Sequence, residues 1–155
     1  MGSKPTIRAI GACRDAQELA RLYASAFDGA QERLWSQGEF ERLMAAENIH
    51  IYGHADGFIV LQSLPDGAEI LTLAVAPAAQ RQGVARALIA HAQSHLDAAR
   101  LWLEVAEDNA PARALYAAYG FRQSGRRSKY YKRAGNFAVD ALLMELDDKK
   151  GEDNG

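Results

Sequence analysis

Residues 71–86 read L-T-L-A-V-A-P-A-A-Q-R-Q-G-V-A-R. An apolar run ends at Pro77, and A-L-I-A-H-A (87–92) follows with helical spacing. The reading predicts a buried strand that turns sharply into a helix at Gly83. A helix N-terminus presents unpaired backbone N–H groups and the positive end of its dipole. A glycine there lets an anion approach the backbone, and Arg81 and Arg86 add cationic donors. The stretch therefore reads as a pyrophosphate cradle; the alternative is a plain turn with surface arginines. It lacks the Lys-Ser/Thr of a P-loop and the second glycine of a dinucleotide fingerprint, which argues against both nucleotide classes.

Working outward, the pattern predicts a strand at 6–10 and a helix at 14–27 closed by Gly29. A second helix spans 37–46, where Ser36 and Glu39 have the spacing of a capping box. Two strands, 49–54 and 57–64, meet at Ala55-Asp56-Gly57, a hairpin signal. Pro65-Asp66-Gly67 turns the chain into a third strand at 69–76. The helix after Gly83 runs over 83–97, with Val84, Ala85, Leu88, Ile89, Ala92 and Leu96 on one face. L-W-L-E-V-A (101–106) reads as a buried strand. Asn109 caps a helix over 110–119, which Gly120 closes. Strands at 121–131 and 136–146 complete the order β-α-α-β-β-β-α-β-α-β-β. That order predicts an α/β (α+β) domain over residues 1–147, a mixed sheet flanked by helices. The tail, 148–155, is charged and poor in apolar residues, and is expected to be disordered.

The composition of the 155-residue chain is that of a soluble protein: 48% hydrophobic, 25% charged, net charge −2. It gives no global attraction to nucleic acid or membrane. No apolar segment approaches the roughly 20 residues of a bilayer span, and none reads as a secretory leader. The one cysteine, Cys13, rules out an internal disulfide and fits a cytoplasmic protein. M-G-S-K-P-T matches a myristoylation pattern formally but is read as chance or a cloning remnant. His91 and His95 are four apart, yet H-A-Q-S-H lacks the glutamate of H-E-x-x-H, so no metal site is expected.

V-A-P-A-A-Q-R-Q-G-V-A-R-A-L closely resembles the acetyl-CoA motif of the Gcn5-related N-acetyltransferase (GNAT) family, Q/R-x-x-G-x-G/A. Gln80, Gly83 and Ala85 occupy its defining positions. Downstream, L-W-L-E-V-A-E-D-N-A-P-A-R-A-L-Y-A-A-Y-G-F resembles the family's second block. The resemblance is firm over 70–121 and extends more loosely over 5–146. It implies a mostly antiparallel sheet of about seven strands with four helices, strands four and five splayed. Within the family, L-E-V, N-x-x-A-x-x-L-Y-x-x-x-G-F, R-R-S-K-Y-Y, D-A-L-L-M and L-W-S resemble the RimI branch, which acetylates the N-terminal amine of a small-subunit ribosomal protein. Departures stand at Ala106, Lys132 and Val139, where the branch usually has other residues; they bear on the acceptor more than on the cofactor.

The resemblance implies a protein N-terminal acetyltransferase that consumes acetyl-CoA and releases CoA. The turn Arg81, Gln82, Gly83, Val84, Ala85 and Arg86 would hold the pyrophosphate, and the backbone of Leu73, Ala74 and Val75 the pantetheine arm. Glu104, the one acid in an apolar strand, is the candidate base; alternatively it faces water or pairs with an arginine. Asn109 and Tyr116 are two helical turns apart and share a face. The family assigns that face to the cofactor, with Tyr116 protonating the departing thiolate. Trp35, Tyr130 and Tyr131 are candidate acceptor contacts. Residues 122–133 carry six cations and no acid. They read either as a surface for RNA or a ribosomal protein, or as a solvated hairpin. Two rivals remain: acetylation of a lysine or small-molecule amine, and a non-catalytic acyl-CoA sensor docking on ribosome or RNA.

Overall fold

The computed structural model describes residues 7–9, 14–27, 34–135 and 137–147. The readings that rest on Gly2, Cys13, Gly29 and the 148–155 tail lie outside them. The chain divides into two compact units, Met1–Leu64 with Ile70–Asp97 and Pro65–Glu69 with Ala98–Gly155.

In the first unit, β1 (Arg8–Ala9), α1 (Arg14–Ala26) and α2 (Gln37–Ala45) precede β2 (Ile49–His54) and β3 (Gly57–Leu64). The part of β4 (Gly67–Val75) from Ile70 on belongs to this unit and leads into α3 (Val84–Leu96). The predicted capping box of α2 is formed: Glu39 N–H donates to Ser36 Oγ at 3.2 Å, and Ser36 N–H to Glu39 Oε1 at 2.9 Å. Ala16, Leu19, Tyr23, Phe40, Ile51, Phe58, Val60 and Ala74 form the buried cluster of this unit. Phe40, fully buried, contributes about 1.5–3 kcal/mol. The β2–β3 hairpin turns at Ala55-Asp56, with His54 paired to Gly57. A short 3-10 helix, Pro77–Ala79, follows β4 and was not predicted.

In the second unit, β5 (Arg100–Ala106) leads to α4 (Ala110–Tyr119), β6 (Arg122–Arg133) and β7 (Phe137–Asp147). β5 and β7 pair antiparallel over seven positions, from Arg100↔Asp147 to Ala106↔Ala141. Leu101, Leu103 and Val105 meet Leu146, Met144 and Leu142, all buried. The opposite face of β5 carries Arg100, Trp102 and Glu104, all half-buried. Asn109 caps α4 by accepting from Ala112 N–H at 3.2 Å, as its position predicted. The sheet order is β1-β2-β3-β4-β5-β7-β6, so the expected seven strands are present, β1 being two residues long. β4 and β5 are parallel and register at Ala68↔Leu101 and Glu69↔Trp102, the second and third residues of each strand.

Candidate functional site

The turn into α3 is built from an unusual backbone. Arg81 and Gly83 both have positive φ, 66° and 87°. Gly83 is the N-cap of α3, in the left-handed region, with no side chain capping the helix. There is no acid in the first turn. A Cβ on Gly83 would meet nothing within 4 Å. The first-turn N–H groups therefore look out past a residue that carries no side chain. This donor set, with Arg81 and Arg86 exposed beside it, fits a diphosphate in charge and clearance.

Two contacts brace the turn, one against the end of β4 and one against the short 3-10 helix. Gln80 Nε2 donates to the carbonyl of Val75 at 3.1 Å, and Gln82 Nε2 to that of Ala78 at 3.2 Å. Gln80, which the motif required, thus acts here as a staple between the loop and the end of the strand. Leu73 is half-buried, Ala74 and Val75 are buried, and Val84 tucks inward while Ala85 stays half-buried. Gly57, in the β2–β3 hairpin, backs this region: a Cβ there would lie 2.8 Å from the carbonyl of Ala74 and 3.1 Å from Val84. Trp35 sits in an aromatic cluster, 5.5 Å from both Tyr23 and Phe40 between ring centroids. Its surroundings are those of a packing residue.

In the second unit, Glu104 pairs with Arg127, whose Nε donates to Oε2 at 2.5 Å. The arginine alternative weighed from sequence is therefore the observed contact, and it fixes the carboxylate in place. Glu69 was not singled out in the sequence. It lies in register with Trp102, one pleat from Glu104 on the same face. Burial, together with the charge of Glu104, raises its carboxyl above the ordinary range, and Arg127 offsets part of this.

Asn109 caps α4 and Tyr116 lies within it. The ring of Tyr116 is buried, edge-on to Phe121 at 5.5 Å. Burial pushes its phenol well above the usual value. No described side-chain polar atom is both buried and without a partner.

The cationic segment is largely neutralised within the chain. Arg126 bridges Glu107 and Asp140, Arg127 holds Glu104, and Arg133 grips Asp108 with two contacts of 2.8 Å. That leaves less of the expected local field than six cations promise. The register of β6 slips between Arg127 and Tyr131. Lys129 there takes φ 50° and its N–H donates to Asp140 Oδ1 at 2.9 Å. This bulge presents Tyr130, 52% exposed, edge-on to Tyr131 at 5.1 Å. Nothing in the local sequence signals it. A 550 Å³ depression beside it is lined by Lys129, Lys132, Arg133, Phe137 and Ala138. Among the described residues there is no cluster of three metal-ligating side chains, and no helix is long and apolar enough to cross a membrane.

Comparison with known proteins supplies the context. The sequence profile of the Acetyltransferase (GNAT) family matches residues 13–121. The [ribosomal protein bS18]-alanine N-acetyltransferase of Escherichia coli is 39% identical over 97 residues, covering 61% of this chain and 65% of that protein. The chain thus spans just under two thirds of that relative. The N-alpha-acetyltransferase RimI of Mycobacterium tuberculosis is 34% identical over 145 residues, 86% of this chain and 87% of its own length. The crystal structure of the ribosomal-protein-S18-alanine N-acetyltransferase from Escherichia coli superposes with a TM-score of 0.80 at 30% identity, over 93% of this chain and 94% of the other.

Proposed function

We propose that this chain, which belongs to the acetyltransferase (GNAT) family, is an acetyl-CoA-dependent N-acetyltransferase of a protein N-terminal α-amine, of the kind its RimI relatives represent. The observation that carries the reading is Gly83: a left-handed residue opens α3 with no capping side chain, no first-turn acid and open space where a Cβ would stand. When bound, acetyl-CoA supplies the acetyl group already activated as a thioester.

The chain's own residues do the rest. Backbone N–H groups of Gly83, Val84 and Ala85, with Arg81, Gln82 and Arg86, bind the diphosphate. The backbone of Leu73, Ala74 and Val75 aligns the pantetheine arm and offers N–H donors to the carbonyl oxygen as charge develops there. Asn109 contributes to holding the arm. Glu104, fixed by Arg127, accepts a proton from the incoming ammonium. A protein α-amine has a reference pKa of about 7.7–8.0, so a modest base suffices near neutral pH. Tyr116 returns a proton to the departing sulfur. Its phenol, shifted upward by burial, stays protonated and so remains a donor throughout the working range. Trp35, Tyr130 and Tyr131 are the candidate acceptor contacts; the exposure of Tyr130 on the β6 bulge favours it over Trp35. The choice of an α-amine is supported by the N-alpha-acetyltransferase of M. tuberculosis, matched along most of both chains.

The test is release of free thiol from acetyl-CoA with peptides of differing first residue. A peptide beginning with the alanine of a small-subunit ribosomal protein is expected to react. Turnover of a lysine side chain or a polyamine in its place would reassign the acceptor, and salt-sensitive RNA binding without thiol release would overturn the enzyme reading.

A further inference from the structure

The cations of β6 divide by type. Arg126, Arg127 and Arg133 are ion-paired with Glu107, Asp140, Glu104 and Asp108. Lys129 and Lys132 are the two lysines of the described residues, and both are exposed. Neither forms an ion pair with an acid among those residues. Asp140 already accepts from Arg126 and from the backbone N–H of Lys129, so the Lys129 ammonium acts on it only at a distance. A guanidinium held by carboxylates is a strut. An ammonium on a flexible stem is a point charge that can still take a partner.

Both lysines line the 550 Å³ depression at the end of the β6–β7 hairpin, where Phe137 is 56% exposed and Arg133 is committed to Asp108. No acid is among the described residues that line it. Two unmatched positive charges beside an exposed ring suit a carboxylate carried by a polypeptide. They are too few for a nucleic acid, whose binding sums over many phosphates. Lys132 is also one of the positions at which the chain departs from the RimI pattern, so this charge is the chain's own.

The depression is within reach of the reacting amine. Leu143, the β7 partner of Glu104, lies five residues from Ala138, the partner of Lys132. β6 is the strand beyond β7 as seen from β5. Five residues of strand and two strand spacings separate Glu104 from Lys132 by roughly 19 Å. An extended chain advances about 3.3–3.6 Å per residue, so an acceptor whose ammonium meets Glu104 brings about its fifth or sixth residue to the lysines.

We infer that the depression is a distal acceptor subsite for an acidic side chain, Asp or Glu, about five or six residues from the acceptor's N-terminus, and that Lys129 and Lys132 set this preference. The inference rests on the N-terminal acetyltransferase reading and adds to it a charge preference far from the reacting amine.

The test uses alanine-start peptides identical except at residues five and six, which are both Glu, both Ala or both Lys. Thiol release from acetyl-CoA is followed at low and at high salt. The Glu peptide is expected to have a KM lower than the Lys peptide by about fivefold or more, with kcat within about twofold. High salt should narrow the gap, because exposed charges are screened. Shifting the two acids four residues further along should abolish the advantage. Lys129→Glu and Lys132→Glu, combined in one chain, should invert the preference. An advantage below about twofold, or one that survives the double substitution, overturns the inference and leaves the acetyltransferase reading standing. So does a single-stranded RNA that binds the wild-type chain and not the double variant while peptide charge has no effect; that outcome hands the depression to nucleic acid. A wild-type chain that consumes no peptide overturns both.

Discussion

Arg127 on β6 reaches across β7 to Glu104 on β5, its Nε 2.5 Å from Oε2. The register explains how. Ala141 of β7 is paired with Arg127 on one side and Ala106 on the other, and Leu143 with Glu104. A small residue at 141 lets the guanidinium lie over the middle strand. Arg127→Gln removes the cation that fixes the Glu104 carboxylate. With the base no longer oriented, kcat/KM is expected to fall by about 10-fold, while acetyl-CoA affinity stays within about twofold of wild type. Steady-state kinetics and a binding titration check it.

Tyr116→Phe keeps the buried ring and removes the donor. Turnover is expected to fall by about 100-fold or more, with acetyl-CoA affinity within about twofold of wild type. Because burial raises the phenol, the wild-type profile should show no alkaline limb from this group below about pH 10. Steady-state kinetics and calorimetric titration read the two effects separately.

Gly83→Glu places a carboxylate where the diphosphate is proposed to bind. The side chain has room, so the variant should fold, at a cost of about 1–2 kcal/mol for a left-handed non-glycine residue. Acetyl-CoA binding is expected to vanish. A folded Gly83→Glu protein that still binds acetyl-CoA would remove the cradle from the account.

Asp108 and Arg133 test stability rather than rate. The Arg133 side chain is 3% exposed and that of Asp108 39%. The Arg133 hydrogen bond holds the Asp108 carboxyl below its ordinary range. A carboxyl depressed on folding adds stability above its unfolded pKa of about 3.9, and that stability is lost as pH falls through the folded value. Asp108→Asn is expected to lower stability at pH 7 by about 1.5–3 kcal/mol, toward the lower end because Asp108 is partly solvated. The difference from wild type should close as the pH falls below about 4. Urea unfolding at several pH values measures it.

His91 provides a second pH signature. Its ring stacks on His95 at 3.7 Å and meets Tyr52 edge-on at 4.9 Å. Burial, then the neighbouring His95, lowers its pKa. The unfolded chain therefore binds the proton more readily, and stability should decline as pH drops below about 6.5. His91→Phe is expected to flatten that decline in thermal melts between pH 7 and 5.

What the sequence revealed was whatever is encoded within a few residues. Ser36 and Glu39, or Asn109 ahead of Ala112, declare a helix start because the partners lie three positions apart. The apolar run of β5 declared a buried strand, and the structure buries one of its faces while the other stays half-buried. The bulge in β6 was not legible, because what secures it is Asp140 on the next strand rather than a glycine at Lys129. Glu69 was overlooked for the same reason: what sets it apart is Glu104, thirty-five positions later in the chain. Trp35 stood out for its type, yet its neighbours Tyr23 and Phe40 are those of a core side chain. Charge counting misjudged 122–133, because the balancing acids at 104, 107, 108 and 140 fall outside that window.

Gly57 lies far upstream of the acetyl-CoA motif, yet its missing methyl is what allows the Ala74 carbonyl and Val84 to come so near. A screen for loss of coenzyme affinity should thus return hits in the β2–β3 hairpin, at a codon that no motif search would flag. Even the mildest replacement there, alanine, would wedge the end of β4 away from its support and spoil the grip from behind.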